Sequence, residues 1–134
     1  MSDTERRRHH RLPASRLTIS VKKIGLLGHF KKPTTAKAID FTKHGMAFLC
    51  NEAFETLDHL DLNLRLGDQE VNGVIGLVCA TAAKGQATRY SVEFDHNFNK
   101  RMQSPEVSVT LKDIEETLSE ASSSKEQSPP PLAP

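Results

Sequence analysis

Leu60, Leu62, Leu64 and Leu66 alternate strictly with Asp61, Asn63 and Arg65. Successive side chains of a strand point to opposite faces, so this run has one apolar and one polar face. On a helix the same spacing would scatter the leucines around the cylinder. The stretch is therefore a half-buried strand, and its leucines need either a second packed layer or a sheet closed on itself. Gly67-Asp68 follows as a tight turn.

The same two-residue rhythm returns along the chain. In residues 16–22, Leu17, Ile19 and Val21 share a face. In residues 35–41, Ile39 and Phe41 are expected on one face, with Ala36, Ala38 and Asp40 on the other. Residues 46–50 form a third short run, joined to the second by Thr42-Lys43-His44-Gly45, in which Gly45 is expected to supply a positive φ. Residues 71–80 are apolar on both faces and interrupted by Gly73 and Gly76, which points to a bulge or sharp bend. Thr88, Tyr90, Val92 and Phe94 alternate with Arg89, Ser91 and Glu93. With the leucine run these make six short strands separated by turn signals and no βαβ rhythm, which predicts an antiparallel barrel or sandwich.

The segments between and beyond these strands read differently. Residues 25–33 carry two glycines and a proline and read as a loop, with Leu26, Leu27 and Phe30 turned back toward the core. Residues 51–59 are a connector with room for one helical turn. Val107, Leu111, Ile114 and Leu118 have helical spacing, with Thr110 and Asp113 as an N-terminal cap. Such a helix would cover one barrel mouth. Residues 1–14 are expected to be a flexible basic arm and residues 119–134, rich in Ser, Glu and Pro, a disordered tail, leaving 15–118 as the folded unit.

Net charge is only +1, from 18 Lys and Arg against 17 Asp and Glu, so the chain is no polycation. The charge is uneven instead. Arg6, Arg7, Arg8 and Arg11 crowd into six residues, which suits a local anion site better than general coating of nucleic acid. Trp is absent and Tyr occurs once, against a base-stacking platform. Cys50 and Cys79 sit in apolar runs and read as buried, reduced core residues. His9-His10 has no third ligand nearby in sequence, so no metal site is expected. No run is long enough to span a membrane and no apolar segment follows the basic start, so the cytoplasm is the expected location. No nucleophile–base grouping or paired carboxylates stand out, so an enzyme is not expected.

Two short motifs carry the functional reading. Arg7-x-x-x-Arg11 closes the arm, and Asp40-x-Thr42-x-x-Gly45 sits at the junction of the second and third strands. In this order and separation they resemble the RxxxR and (D/N)xSxxG signatures of PilZ domains, with threonine in the serine position. The resemblance covers residues 5–118. It implies a mainly β fold, a six-stranded antiparallel β-barrel with a C-terminal α-helix, acting as a bacterial receptor for cyclic di-GMP with no other cofactor. Carried over, Arg7 and Arg11 would hold guanine and phosphate groups, Asp40 and Thr42 would meet a guanine, and Gly45 would shape the turn. Arg6 and Arg8 are candidates for further phosphate contacts or stacking on guanine. The residue types suit that ligand: a guanidinium matches guanine O6 and N7 with two parallel bonds, and a carboxylate accepts from the N1–H and N2–H₂ edge.

Three functions follow from these residues. The first is a receptor that relays nucleotide binding to a protein partner through ordering of its arm. The second is a degenerate, PilZ-like adaptor that binds protein but not nucleotide, suggested by Thr42 and the tail. The third is a small-barrel nucleic-acid binder using the arm, which the modest net charge disfavours, so no DNA or RNA partner is expected.

Overall fold

The computed structural model describes residues 12–25 and 32–126, with side-chain surroundings through Glu120. Arginines 6, 7, 8 and 11, the apolar residues of the 26–31 segment, and residues 127–134 lie outside the described residues.

The described residues form seven strands and one helix: β1 (Leu12–Pro13), β2 (Thr18–Lys23), β3 (Thr34–Thr42), β4 (Gly45–Cys50), β5 (His59–Leu66), β6 (Gln69–Lys84), β7 (Ala87–Phe94) and α1 (Pro105–Glu126). All pairings are antiparallel, in the order β3-β2-β5-β6-β7-β4, and β4 pairs back onto β3. Six strands thus close a barrel, as the alternating runs require, and no long edge is left on β3 or β4. The two-residue β1 was not expected. It lies on the same edge of β3 as β2, further along, with Leu12 opposite Phe41 and Pro13 opposite Asp40.

Alternation fills the barrel. Leu60, Leu62 and Leu64 are fully buried and meet Ile19, Val21, Phe48, Val74, Val78, Tyr90 and Val92 in one core. Tyr90 is buried with its hydroxyl satisfied: it donates to Glu52 O at 2.7 Å and accepts from Phe54 N–H at 2.9 Å. That pair fixes the connector after β4 against the barrel wall. The connector ends in a Glu55–Asp58 turn rather than a helical one, with Leu57 at φ 78°.

Three register shifts bend the wall. In β6 the extra residue falls at Asn72-Gly73, opposite Asn63, as the glycine pattern suggested. Gly73 has φ 74°, and its N–H donates to Asn63 Oδ1 at 3.1 Å. A second shift lies between Val78 and Ala80. Val74, Gly76 and Val78 face inward, so Cys79 falls on the outward face and is exposed, while Cys50 is buried. The expectation that both thiols are core residues thus holds for Cys50 alone, whose pKa burial pushes up. The third shift is in β3. Ala38 faces Phe48 and Asp40 faces Ala47, so Ile39 is the additional residue. Ala38 and Phe41 therefore point into the core, instead of Ile39 and Phe41.

Helix α1 begins earlier than Thr110. Ser104 is its cap, with Val107 N–H directed at Ser104 Oγ (3.5 Å), Pro105 at the first position and Glu106 in the first turn. It also runs past residue 118, where the tail was expected to start, because no breaker occurs in 119–126 and each added residue gains a backbone bond. Val107, Leu111, Ile114 and Leu118 are all buried. The helix packs on β1, β3 and β6 and closes one mouth. Residues 12–14, assigned to the arm on sequence grounds, belong to the packed body: Leu12 and Ala14 are buried beneath this helix and β3.

Asp61 on β5 is half-buried, and desolvation raises its pKa against the pull of Lys22 and Arg101. A raised folded-state value means the native protein loses stability as pH climbs from the ordinary aspartate value through the raised one. Asp61→Asn should therefore be more stable than wild type at pH 7, with the gain vanishing below the ordinary aspartate range. Urea unfolding of both proteins across pH 3 to 7 checks this.

Candidate functional site

The bulge at Ile39 decides where Asp40 points. Unbroken alternation would put Asp40 on the inward face with Ala38. The extra residue turns it outward, on the row Asp40–Ala47–Ser91 that crosses β3, β4 and β7. Its side chain is 17% exposed and faces Arg89 of β7, whose Nη2 donates to Asp40 Oδ2 at 3.4 Å. The bulged backbone is itself held: Ile39 O accepts from Ala14 N–H at 3.0 Å. The chain segment leading from β1 is thus fastened to the same point that re-aims the carboxylate.

Thr42 and Gly45 pair at the end of the β3–β4 hairpin, leaving Lys43 and His44 as its two-residue turn. The Thr42 hydroxyl organises this turn. It accepts from His44 N–H at 3.1 Å and donates to Gly45 O at 3.4 Å. Thr42 is buried, and its β-branch suits a strand end. Two further bonds clamp the turn from outside. His44 O accepts from Phe94 N–H at 2.9 Å, and Lys43 N–H donates to the Glu115 carboxylate of α1 at 3.0 Å.

Gly45 is required for a different reason from the one expected. It does not adopt a positive φ; among the described residues the glycines that do are Gly67, Gly73 and Gly85. A Cβ at position 45 would instead run into the Val92 carbonyl oxygen of the neighbouring strand. The site needs glycine for close backbone approach, not for turn conformation.

A cavity of about 470 Å³ opens beside this turn, lined by Thr42, His44, Gly45, Val92, Glu93, Phe94 and His96. Of the residues singled out in the second motif, Thr42 and Gly45 line the cavity and Asp40 does not; the fold adds Glu93 and His96 to its wall and sets Arg89 beside Asp40. Arg89 and Glu93 read as the solvent face of an alternating strand, and His96 as part of an irregular loop. Nothing in the sequence pairs them with residues 40–45, some fifty positions earlier. The arm residues Arg6, Arg7, Arg8 and Arg11 lie outside the described residues, but Leu12, which follows Arg11 directly, is opposite Phe41. Among the described residues no three His, Cys, Asp or Glu side chains group as metal ligands, and no helix is long and apolar enough to cross a membrane.

The family model for the PilZ domain matches residues 5–114. The chain belongs to the PilZ domain family. That match takes in both motifs, the whole barrel and the first half of α1. Solved PilZ structures share its fold. One is the PilZ domain with c-di-GMP of YcgR from Escherichia coli, at 18% identity and TM-score 0.64, covering 92% of this chain and 99% of that one. Another is YcgR in complex with c-di-GMP, also 18% identical, with TM-score 0.65 over 91% of this chain and 50% of that one, so this PilZ chain spans about half of that protein. No curated protein matches the chain.

Because the β3–β4 turn is packed against β7, Gly45→Ala should destabilise the domain by about 1–3 kcal/mol through overpacking. Chemical denaturation measures the loss. Gly67→Ala at the exposed β5–β6 turn, also strained but with open space around it, should cost less.

Proposed function

We propose that this PilZ domain is a receptor for cyclic di-GMP, a binding module and not an enzyme. The observation that carries the reading is the register of β1. Leu12 opposite Phe41 and Pro13 opposite Asp40 bring the chain that follows Arg11 alongside the strand bearing Asp40 and Thr42. The residue that follows the first motif is thereby paired to the strand that bears the second, about thirty residues later in sequence, which supports one shared site. Arg7 precedes Leu12 by five residues. An extended chain covers about 3.3–3.6 Å per residue, so roughly 17 Å of reach is available, enough to cross several strands set about 4.8 Å apart. The c-di-GMP carried by the similar YcgR domain supports the same ligand.

In this site Arg7 and Arg11 grip guanine O6 and N7 and the phosphates, with Arg6 and Arg8 adding charge. Asp40, an acceptor-only group when ionised, takes the guanine N1–H and N2–H₂ edge. Thr42 shapes the turn and keeps one hydroxyl lone pair for a ligand N–H. The arm orders when the nucleotide bridges it to the barrel, and that ordering presents a new surface to a protein partner, in the cytoplasm where the messenger is made. The internal use of the Thr42 hydroxyl favours a second reading, an adaptor that binds protein without nucleotide.

Calorimetric titration separates the two. The receptor gives a saturable isotherm with cyclic di-GMP, and Arg7→Ala or Arg11→Ala lowers the affinity at least about tenfold, the scale of one charge-assisted bond. An isotherm unchanged in both variants removes the arm from the site. A flat titration of the wild-type protein leaves the adaptor.

A further inference from the structure

Arg89 belongs to neither sequence motif. It stands on β7, opposite Leu49 of β4, which in turn stands opposite Lys37 of β3. Asp40 is on the next outward-facing row, beyond the inward row Ala38–Phe48–Tyr90, so the Arg89–Asp40 bridge runs diagonally over β4. Neighbouring strands are about 4.8 Å apart, and β3 and β7 are therefore separated by roughly 10 Å of backbone. Only a long cationic side chain and a small residue between can join them. The residue opposite Asp40 on β4 is Ala47, on the outward row yet wholly buried. Arg89 is 34% exposed and Asp40 17%, so the bridge lies at the edge of solvent, where water competes for both partners.

The geometry points to Arg89 as a positioning residue that acts through Asp40. It fixes the carboxylate on the outer face in the orientation that receives the guanine edge. A bulged strand gives a side chain a new direction but does not lock its χ1. The bond to Oδ2 restrains it from the β7 side. One guanidinium nitrogen makes that bond to one oxygen, so it does not by itself occupy the whole carboxylate. The inference rests on the cyclic di-GMP reading of the site, which assigns Asp40 to guanine. It adds that a third arginine, carried by a rigid strand and not by the arm, sets how well that assignment works.

A double-mutant cycle tests it. Arg89→Ala should weaken cyclic di-GMP about tenfold, and the same change in an Asp40→Ala background should add less than about twofold, because the side chain it orients is gone. Arg89→Lys should restore most of the affinity, since a single contact to one oxygen does not need the guanidinium fork. Additive losses would mean that Arg89 touches the ligand itself, and no loss at all would mean that it does nothing; both overturn the inference. A ligand-free readout stands beside the cycle. Three-bond couplings of Asp40 should report χ1 populations in Arg89→Ala that are shifted from those of wild type. Equal rotamer populations in the two proteins overturn the positioning role whether or not nucleotide binds. If wild type binds no cyclic di-GMP but the couplings change as stated, the receptor reading fails and the positioning role stands.

Discussion

One additional residue in β3 organises the wall that carries the second motif. Ile39 occupies no place in the β3–β4 ladder, and its insertion reverses the facing of everything after it. Before it, Ala36 and Ala38 look inward; after it, Phe41 does, and Asp40 is released to the surface. A carboxylate at an inward position would be buried among Phe48, Met46 and Leu62, at a cost of several kcal/mol or more for an unpaired charge. The bulge removes that conflict and sets Asp40 two strands from Arg89. It also leaves the Ile39 carbonyl to Ala14, so the bulge both aims a side chain and anchors the base of the N-terminal segment.

The second motif is stiffened from several directions. Thr42 closes its own turn, Phe94 binds the turn's backbone from β7, and Glu115 reaches it from α1. Helix α1 in addition covers Leu12 and β1. The segment that leads out of the arm, the turn of the second motif and the C-terminal helix are therefore joined within a single packed unit. Arg89 joins this unit through Asp40, so β7 takes part as a structural wall and not only as a partner strand.

Sequence periodicity located the six barrel strands well because each buries a fixed face, and burial of alternate side chains is a local, two-residue signal. It failed at Ile39, because a bulge made by an ordinary residue leaves no compositional mark, unlike the one at Gly73. It failed at Cys79 because a run that is apolar on both faces does not say which face is inward. The helix start was displaced because Ser104-Pro105-Glu106, a good cap and first turn, lies before the apolar stripe becomes regular. Gly45 was singled out correctly for the wrong cause: a positive φ can be guessed from a turn, but a clash with Val92 exists only once β7 is alongside. β1 was missed altogether, since two residues carry no period.

What the linear chain determined by itself was the barrel's inventory of apolar faces, the amphipathic helix, and the two motifs that mark it as a PilZ domain. These depend on side-chain type at short spacing. Which way Asp40 faces, that Arg89 stands beside it, and that the residue following Arg11 is paired against Phe41 were decided only by the closed sheet. Each depends on register between strands tens of residues apart, and register is a property of the assembled ladder that no local run of residues encodes.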